Sequence, residues 1–331
     1  MSARLLVTVL RDPAAAALLN DGQWNGLIAA ARAERLIGTL ACRLDGHAVP
    51  PAMGPILADA REEADRERLQ ALWEADRARV ALASLDVPVV LLKGTAYVAA
   101  GLKAGAGRFI GDLDILVPRA ALDAVEAAII AAGWEWVKPD PYDDDYYRRW
   151  MHELPPMIHK DRDRMIDIHH TILPLTARQK PDADAMIADS ILLPDGLRIL
   201  SPEDRICHAA AHMLADGDLA GGLRNLWDMY CLLGAMDDRP ALERRADRHG
   251  LAPVVARAIR LSDALYGSGR PPASVIDRLY VRRLLARDGW GRETGKLLGF
   301  AFFVRSHWLR MPPAMLARHL WTKWRKGHRP Q

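Results

Sequence analysis

The sequence predicts an α+β protein in which a small mixed sheet of roughly four or five strands lies between two helical regions. Three observations lead to this prediction: helical spacing of apolar residues before residue 85, short β-branched apolar runs between 87 and 169, and a return of helical spacing after residue 180. We therefore expect three parts. They are a helical N-terminal segment at 1–85 that packs on the core, a core with the sheet at 86–195, and a helical C-terminal domain at 196–331.

The N-terminal part is predicted to form two long helical stretches. From Trp24 to Leu40, apolar side chains recur at spacings of three and four, as in an amphipathic helix. From Ala58 to Leu85 the chain is highly charged, and its Arg and Glu residues are expected to pair on a solvated face. We expect the large apolar side chains of this stretch to point inward: Leu69, Leu72, Trp73, Val80 and Leu82.

Four short apolar runs predict strands, at 87–92, 112–117, 156–160 and 164–169. Helical patterns at 95–102 and 120–132 alternate with the first two of these runs. Helical periodicity dominates the C-terminal part, where Ser201 and Pro202 form a typical helix start. Helices are predicted there near 203–215, 222–235, 239–248, 251–266, 273–286 and 313–325.

Composition indicates a soluble globular protein. Of the 331 residues, 50% are hydrophobic and 26% are charged, and the net charge of +3 is too small to indicate a nucleic-acid partner. Cys42, Cys207 and Cys231 are far apart, which argues against a disulfide framework and favours the reducing cytoplasm. No apolar run reaches the roughly 20 residues needed to cross a bilayer, so no membrane span is expected.

Three aspartates lie in predicted strands. Asp112 and Asp114 are two residues apart, so their carboxylates project from one face of the strand and repel each other. Asp167 lies between apolar residues of a later strand, where an acid needs a partner. A hard divalent cation, Mg²⁺ or Mn²⁺, would compensate these charges and also bind substrate phosphates. We expect Asp112, Asp114 and Asp167 to converge on a metal and to be catalytic.

These motifs, taken in order, resemble the bacterial nucleotidyltransferase-like family of the DNA polymerase beta superfamily. The resemblance rests on Leu92-Lys93-Gly94, Arg108, Asp112–Val117 and Ile166–His169, with Gly94-Thr95 standing where Gly-Ser is commonest. The segment between Thr95 and Asp112 is longer than is usual in the superfamily. The resemblance implies a nucleotidyltransferase core that uses Mg²⁺ or Mn²⁺ to transfer a nucleoside monophosphate from an NTP such as ATP to an acceptor, with release of pyrophosphate.

The residues around the first strand are candidates for nucleotide binding. Backbone N–H groups of Gly94 and Thr95 suit a phosphate, although a plain strand-to-helix turn explains the same residues. Lys93 and Arg108 are expected to neutralise phosphates, and a structural ion pair is the alternative for each. His169 shares the face of Asp167 and is a possible orienting group.

Accessory residues are expected on the C-terminal helices. His208 and His212 lie one helical turn apart, a spacing that can bind zinc, although the Glu of a metalloprotease motif is missing. Arg224 and Asp228 most simply pair at i and i+4, and either Arg224 or His212 is an alternative cleft residue. The acidic segment 140–145 is expected to be an exposed loop, with a mobile lid as the alternative.

The acceptor is predicted to be a small molecule, a sugar or a peptide. The C-terminal tail carries cations and no carboxylate, namely Arg305, Arg310, Arg318, Lys323, Arg325, Lys326 and Arg329. Trp308, Trp321 and Trp324 lie among them and suit nucleic-acid stacking, but they also fit the apolar face of an ordinary helix, which we favour. The alternative class of function is a catalytically weak regulatory binding protein, similar to the nucleotidyltransferase-type antitoxins that act on a partner protein.

Overall fold

A computed structural model describes residues 2–137, 140–312, 316–317 and 321. The helices are α1 (Ser2–Arg11), α2 (Asp21–Ala33), α3 (Ile37–Arg43), α4 (Gly54–Leu82), α5 (Lys93–Ala99), α6 (Leu122–Ala131), α7 (Pro141–Trp150), α8 (Ala183–Ala188), α9 (Pro202–Ala211), α10 (Gly222–Gly234), α11 (Arg239–Arg248), α12 (Ala252–Tyr266), α13 (Val275–Leu284) and α14 (Lys296–Arg310). The strands are β1 (Val90–Leu91), β2 (Asp112–Leu116), β3 (Trp134–Trp136), β4 (Met157–His159), β5 (Met165–His169), β6 (Ile191–Leu192) and β7 (Arg198–Ile199).

The strands form one mixed sheet in the order β3-β4-β5-β2-β1-β7-β6. β2 pairs with β5 in parallel and with β1 in antiparallel orientation, so it lies at the centre of the sheet. The α+β prediction is confirmed, but the expected strand number was too low because the sheet has seven strands. The missed strands β3, β6 and β7 are only two or three residues long, too short to show a period of two.

The inward face of α4 differs from the prediction. Of the five large apolar residues expected there, only Leu82 is fully buried, whereas Leu69 is 60% exposed, Trp73 48% and Val80 50%. Small residues form the buried stripe instead: Ala60, Ala64, Ala71, Ala75 and Ala78. Helix α4 packs against α3, α5, α6 and β2. Alanine at these contacts lets helix and sheet backbones approach closely, so side-chain size outweighs hydrophobicity in choosing the buried face.

Other elements differ in extent from the predictions. The stretch 24–40 forms two helices, because Arg35 adopts a left-handed φ of +53° between α2 and α3. The predicted helices that correspond to α9–α13 are confirmed, whereas α1, α8 and α14 were not predicted. Most of the predicted helix at 313–325 lies outside the described residues.

The acidic segment 140–145 is helical, so the prediction of an exposed loop was wrong, and the alternative of a mobile lid stays a prediction. Asp140 caps helix α7 by accepting the backbone N–H groups of Tyr142 and Asp143 at 2.8 and 3.3 Å. Pro141 follows in the first helical position, where its missing N–H group costs nothing. The helix in this segment is therefore explained by the Asp140 cap, the proline that follows it and the acids in the first turn.

The N-terminal helices share one hydrophobic core with the rest of the chain. A continuous cluster of buried apolar side chains extends from Ala3 on α1 to Phe302 on α14. The division into three domains stays a prediction. Among the described residues, no helix is both long enough and apolar enough to cross a membrane.

Candidate active site

The three predicted aspartates lie together on strands β2 and β5. The parallel register places Asp114 directly opposite Asp167, and the alternation of β2 puts Asp112 on the same face. One carboxylate oxygen from each residue lies within 4.8 Å of the other two. Asp114 is the most deeply buried of the three, at 2% exposure. The structure thus brings these carboxylates together in a group that could hold a metal ion.

Two hydrogen-bond donors contact the carboxylate of Asp114. Its Oδ1 atom lies 2.6 Å from Lys93 Nζ and 2.9 Å from His169 Nε2. Burial alone would raise the pKa of Asp114, but Lys93 and His169 hold it well below its usual range. Burial would likewise lower the pKa of Lys93, and Asp114 raises it above its usual value. Asp114 is therefore a carboxylate that stays ionised at neutral pH.

Asp167 and Asp112 lack such compensation. Burial, together with the charges of Asp114 and Glu153, raises the pKa of Asp167 to about 7. Burial and Asp114 also raise the pKa of Asp112. A site with one compensated and two under-compensated carboxylates suits a divalent cation with oxygen ligands. The residues present therefore fit the metal that the sequence predicted.

The turn after β1 places Lys93 and Gly94 beside the carboxylates. Lys93 adopts φ of +47°, a left-handed conformation that costs a residue with a Cβ atom about 1–2 kcal/mol. A Cβ atom on Gly94 would lie 2.5 Å from Arg108 Nε, so only glycine allows Arg108 to approach this closely. The Thr95 hydroxyl is buried and has no hydrogen-bond partner among the described residues.

Asp228 on α10 holds two guanidinium groups beside the site. Its Oδ2 atom lies 2.8 Å from Arg108 Nη1, and its Oδ1 atom lies 2.6 Å from Arg224 Nη2. The predicted i, i+4 pair of Arg224 and Asp228 is confirmed. Arg224 also donates to the Thr39 hydroxyl at 2.5 Å, which ties α10 to α3. Both Lys93 and Arg108 thus form the ion pairs that were the alternatives to phosphate binding.

A cleft of about 410 Å³ lies beside the carboxylates. Candidate site residues that line it are Lys93, Gly94, Arg108, Asp112, Asp114, His212 and Arg224. His212 and Arg224 therefore both face the cleft. A larger cleft of about 740 Å³ lies beside Trp227 and Tyr230, and Asp263 is the one acid among the described residues that line it. The carboxylate chemistry belongs to the smaller cleft.

Among the described residues, no third side chain joins His208 and His212 to complete a metal site. Their ring centroids are 6.4 Å apart, and burial lowers the pKa of both, that of His212 to about 3. Among the described residues, neither belongs to a group of three side chains that could hold a metal. The pair therefore supplies neutral imidazoles, one of which lines the cleft.

Two acids beside the site were not predicted from the sequence. Glu34 at the end of α2 is 2% exposed, pairs with Arg287 at 2.7 Å and lines the cleft. Glu153 forms an isolated β-bridge with His169, and its charge raises the pKa of Asp167. Each is a single acid outside a periodic pattern, so only its place in the fold marks it.

The basic tail is only partly described. Arg305 Nη2 donates to the Leu214 carbonyl at 2.7 Å, and its guanidinium lies over the Tyr280 ring at 5.2 Å. These two contacts hold the Arg305 side chain against the rest of the protein. Trp308 is 48% exposed and lies under the guanidinium of Arg178. Arg318 and the cations after it, with Trp324, lie outside the described residues.

The mixed sheet, with three convergent carboxylates beside a cleft that contains cations, defines a protein of the nucleotidyltransferase class. Residues 20–267, most of the chain, match the family described as uncharacterised nucleotidyltransferase, and the chain belongs to this family. The family resemblance predicted from the motifs is thereby confirmed. No curated protein matches the chain. Family and acidic cluster together support nucleotidyl transfer as the general activity.

Proposed function

We propose that this protein transfers a nucleoside monophosphate from an NTP to an acceptor hydroxyl or phosphate and releases pyrophosphate. The observation that carries the proposal is the convergence of the Asp112, Asp114 and Asp167 carboxylates within 4.8 Å, with Asp112 and Asp114 in the lining of a cleft that contains cations. Phosphoryl transfer depends chiefly on positioning and on charge stabilisation, and this site offers both.

Asp112, Asp114 and Asp167 would hold Mg²⁺ or Mn²⁺. Bound ions of this kind neutralise the triphosphate and activate the attacking oxygen. Asp114 is the anchor because Lys93 and His169 keep it ionised and oriented. Asp112 is exposed to the cleft, where substrate and solvent can complete the coordination of a hard ion.

Arg108 would bind the phosphates, and Arg224 would help to position it through the carboxylate of Asp228. The two arginines share a single carboxylate on Asp228, so the group as a whole carries one uncompensated positive charge. Arg108 also retains donor capacity, since its buried Nε atom has no hydrogen-bond partner among the described residues. Gly94 allows Arg108 to reach this position, which gives that glycine a role in nucleotide binding.

We propose a role for Lys93 that differs from direct phosphate contact. Its ammonium group lies 2.6 Å from Asp114 and is tied to that carboxylate by charge. Lys93 would therefore position Asp114, and its strained backbone suits a functional position. His212 lines the cleft as a neutral imidazole and is available to contact the nucleotide or the acceptor.

The acceptor is proposed to be a small molecule, a sugar or a peptide. A cleft of about 410 Å³ falls in the range of small-ligand sites. A polynucleotide needs an extended basic surface, and the net charge of the chain is only +3.

The test is incubation with each NTP, labelled at the α-phosphate, together with Mg²⁺ or Mn²⁺. The acceptor panel contains sugar phosphates, peptides, RNA and DNA, and Asp112→Asn serves as the variant that loses a ligand. Transfer of label that requires the metal and disappears in Asp112→Asn is expected. Efficient tailing of RNA would contradict the acceptor but keep the reaction. Binding of NTP without any transfer, unaffected by Asp112→Asn, would contradict the reaction and favour the regulatory binding protein.

A further inference from the structure

A second group of possible metal ligands lies next to the carboxylate cluster. It consists of His152, Glu153 and His169, and their ligand atoms lie within 4.8 Å of one another. Residues 152–154 run beside the end of β5, where Leu154 donates its N–H to the Ile168 carbonyl at 2.9 Å. In the same pairing, His170 donates its backbone N–H to the His152 carbonyl at 2.9 Å. Backbone pairing therefore brings the two imidazoles and the carboxylate to one point.

The contacts within this group are at ion-pair distance and do not meet hydrogen-bond geometry. Glu153 Oε2 lies 3.3 Å from His169 Nδ1 and 3.6 Å from His152 Nε2. His169 is 2% exposed, and its buried Nδ1 atom has no hydrogen-bond partner among the described residues. A buried ring nitrogen without a hydrogen bond costs free energy unless something else binds it. The missing partner points to a ligand between these side chains.

The spacing matches that of ligands around one tetrahedral ion. Zinc bonds of about 2.0–2.2 Å at tetrahedral angles place neighbouring ligand atoms about 3.3–3.6 Å apart. The two distances from Glu153 Oε2, 3.3 and 3.6 Å, agree with this spacing. Two imidazoles and one carboxylate are also a donor set that binds zinc, whereas magnesium prefers oxygen ligands alone.

The orientation of His169 supports the same conclusion. Its Nε2 atom lies 2.9 Å from Asp114 Oδ1, so Nε2–H donates to a carboxylate, and Nδ1 is the ring nitrogen that faces Glu153. Histidines that bind metals commonly donate their other ring N–H to a carboxylate in this way. The rival arrangement is a doubly protonated His169 that pairs with Glu153 across the 3.3 Å between Nδ1 and Oε2, and the metal titration below separates the two arrangements.

We propose that His152, Glu153 and His169 form a site for one zinc-like transition-metal ion, separate from the carboxylate site for Mg²⁺ or Mn²⁺. Three protein ligands leave a fourth position for water. The ion would fix the tautomer of His169 and thereby hold its Nε2–H on Asp114. The site is defined by its own geometry, so it stands or falls independently of the proposed transfer reaction.

The test is titration of the metal-free protein with Co²⁺ in the presence of excess Mg²⁺. Cobalt(II) replaces zinc and reports tetrahedral coordination by its strong visible absorption, and Mg²⁺ occupies the carboxylate site. We expect one tetrahedral Co²⁺ per chain, released by one equivalent of Zn²⁺. Glu153→Gln and His152→Ala should each weaken binding at least tenfold, whereas Asp167→Asn, which removes an acid of the other site, should leave it unchanged.

Two results would overturn the proposal. One is the absence of a tetrahedral cobalt spectrum in the wild-type protein. The other is a spectrum that Glu153→Gln leaves unchanged while Asp167→Asn removes it, because the ion would then occupy the carboxylate cluster. The wild-type spectrum decides even if His152→Ala fails to fold, and Glu153→Gln preserves the shape of the side chain.

Discussion

Replacing Asp114 or Asp167 by asparagine should change the stability of the metal-free protein in opposite directions. Both carboxylates belong to one cluster, and repulsion alone would make either substitution stabilising. Their surroundings differ, because Asp114 contacts Lys93 Nζ at 2.6 Å and His169 Nε2 at 2.9 Å. Asp167 instead has its pKa raised to about 7 by burial and by the charges of Asp114 and Glu153.

The pKa of Asp167 sets the size of its effect. At about 1.4 kcal/mol for each pH unit between 3.8 and 7, ionising Asp167 costs the metal-free fold up to about 4 kcal/mol. A raised pKa means that the folded state holds the proton more tightly than the unfolded state does. The contribution of Asp167 to stability is therefore greatest below about pH 4, falls as the pH rises towards 7, and is level above that. Asp167→Asn imitates the protonated form and should escape this loss.

Asp114 behaves in the opposite way. Its pKa is held below its usual range, so its contribution to stability is present at neutral pH and is lost only in acid. Asp114→Asn would leave the Lys93 ammonium and the His169 ring without their anion. Breaking a buried pair of this kind costs about 3–5 kcal/mol.

The assay is urea unfolding with a chelator at several pH values between 4 and 8. At pH 8 we expect a higher midpoint for Asp167→Asn and a lower one for Asp114→Asn, and the advantage of Asp167→Asn should shrink as the pH falls. Asp112→Asn is the comparison, because the pKa of Asp112 is also raised and predicts a change in the direction of Asp167→Asn. Loss of stability in Asp167→Asn at pH 8 would refute the reasoning.

Three further predictions follow from the site. Because a metal must displace the proton of Asp167, whose pKa is about 7, calorimetry should find Mg²⁺ binding about tenfold weaker at pH 6 than at pH 8; equal affinity would show that Asp167 is not a ligand. Gly94→Ala should cost about 1–3 kcal/mol and weaken NTP binding, since its Cβ atom would lie 2.5 Å from Arg108 Nε. Gly111→Ala, whose Cβ atom meets nothing within 4 Å, should change stability by less than about 0.5 kcal/mol. Asp228→Asn should lower the free energy of unfolding by about 3–5 kcal/mol because it leaves two largely buried guanidinium groups without their carboxylate.

Much of the fold could be predicted from local pattern. The alternation in β2 and the helical spacing after residue 200 placed their elements within a few residues. Errors occurred where another rule was stronger. In α4, small alanines were buried in place of leucine and tryptophan because close packing required them. In α7, acidity alone predicted a loop, but the Asp140 cap and Pro141 favour a helix.

By itself the sequence determined which side chains share a face. The two-residue period of a strand puts Asp112 and Asp114 side by side, and the apolar flanks of Asp167 mark an acid in need of a partner. Only the tertiary structure decided how those charges are compensated. Lys93, His169 and Glu153 reach the cluster from separate segments, through the register of β2 with β5 and the pairing of residue 153 beside it. Such contacts have no local period, because they depend on distances across the sheet. Those distances determine that the charge of Asp114 is paired within the protein, whereas the charges of Asp112 and Asp167 are not.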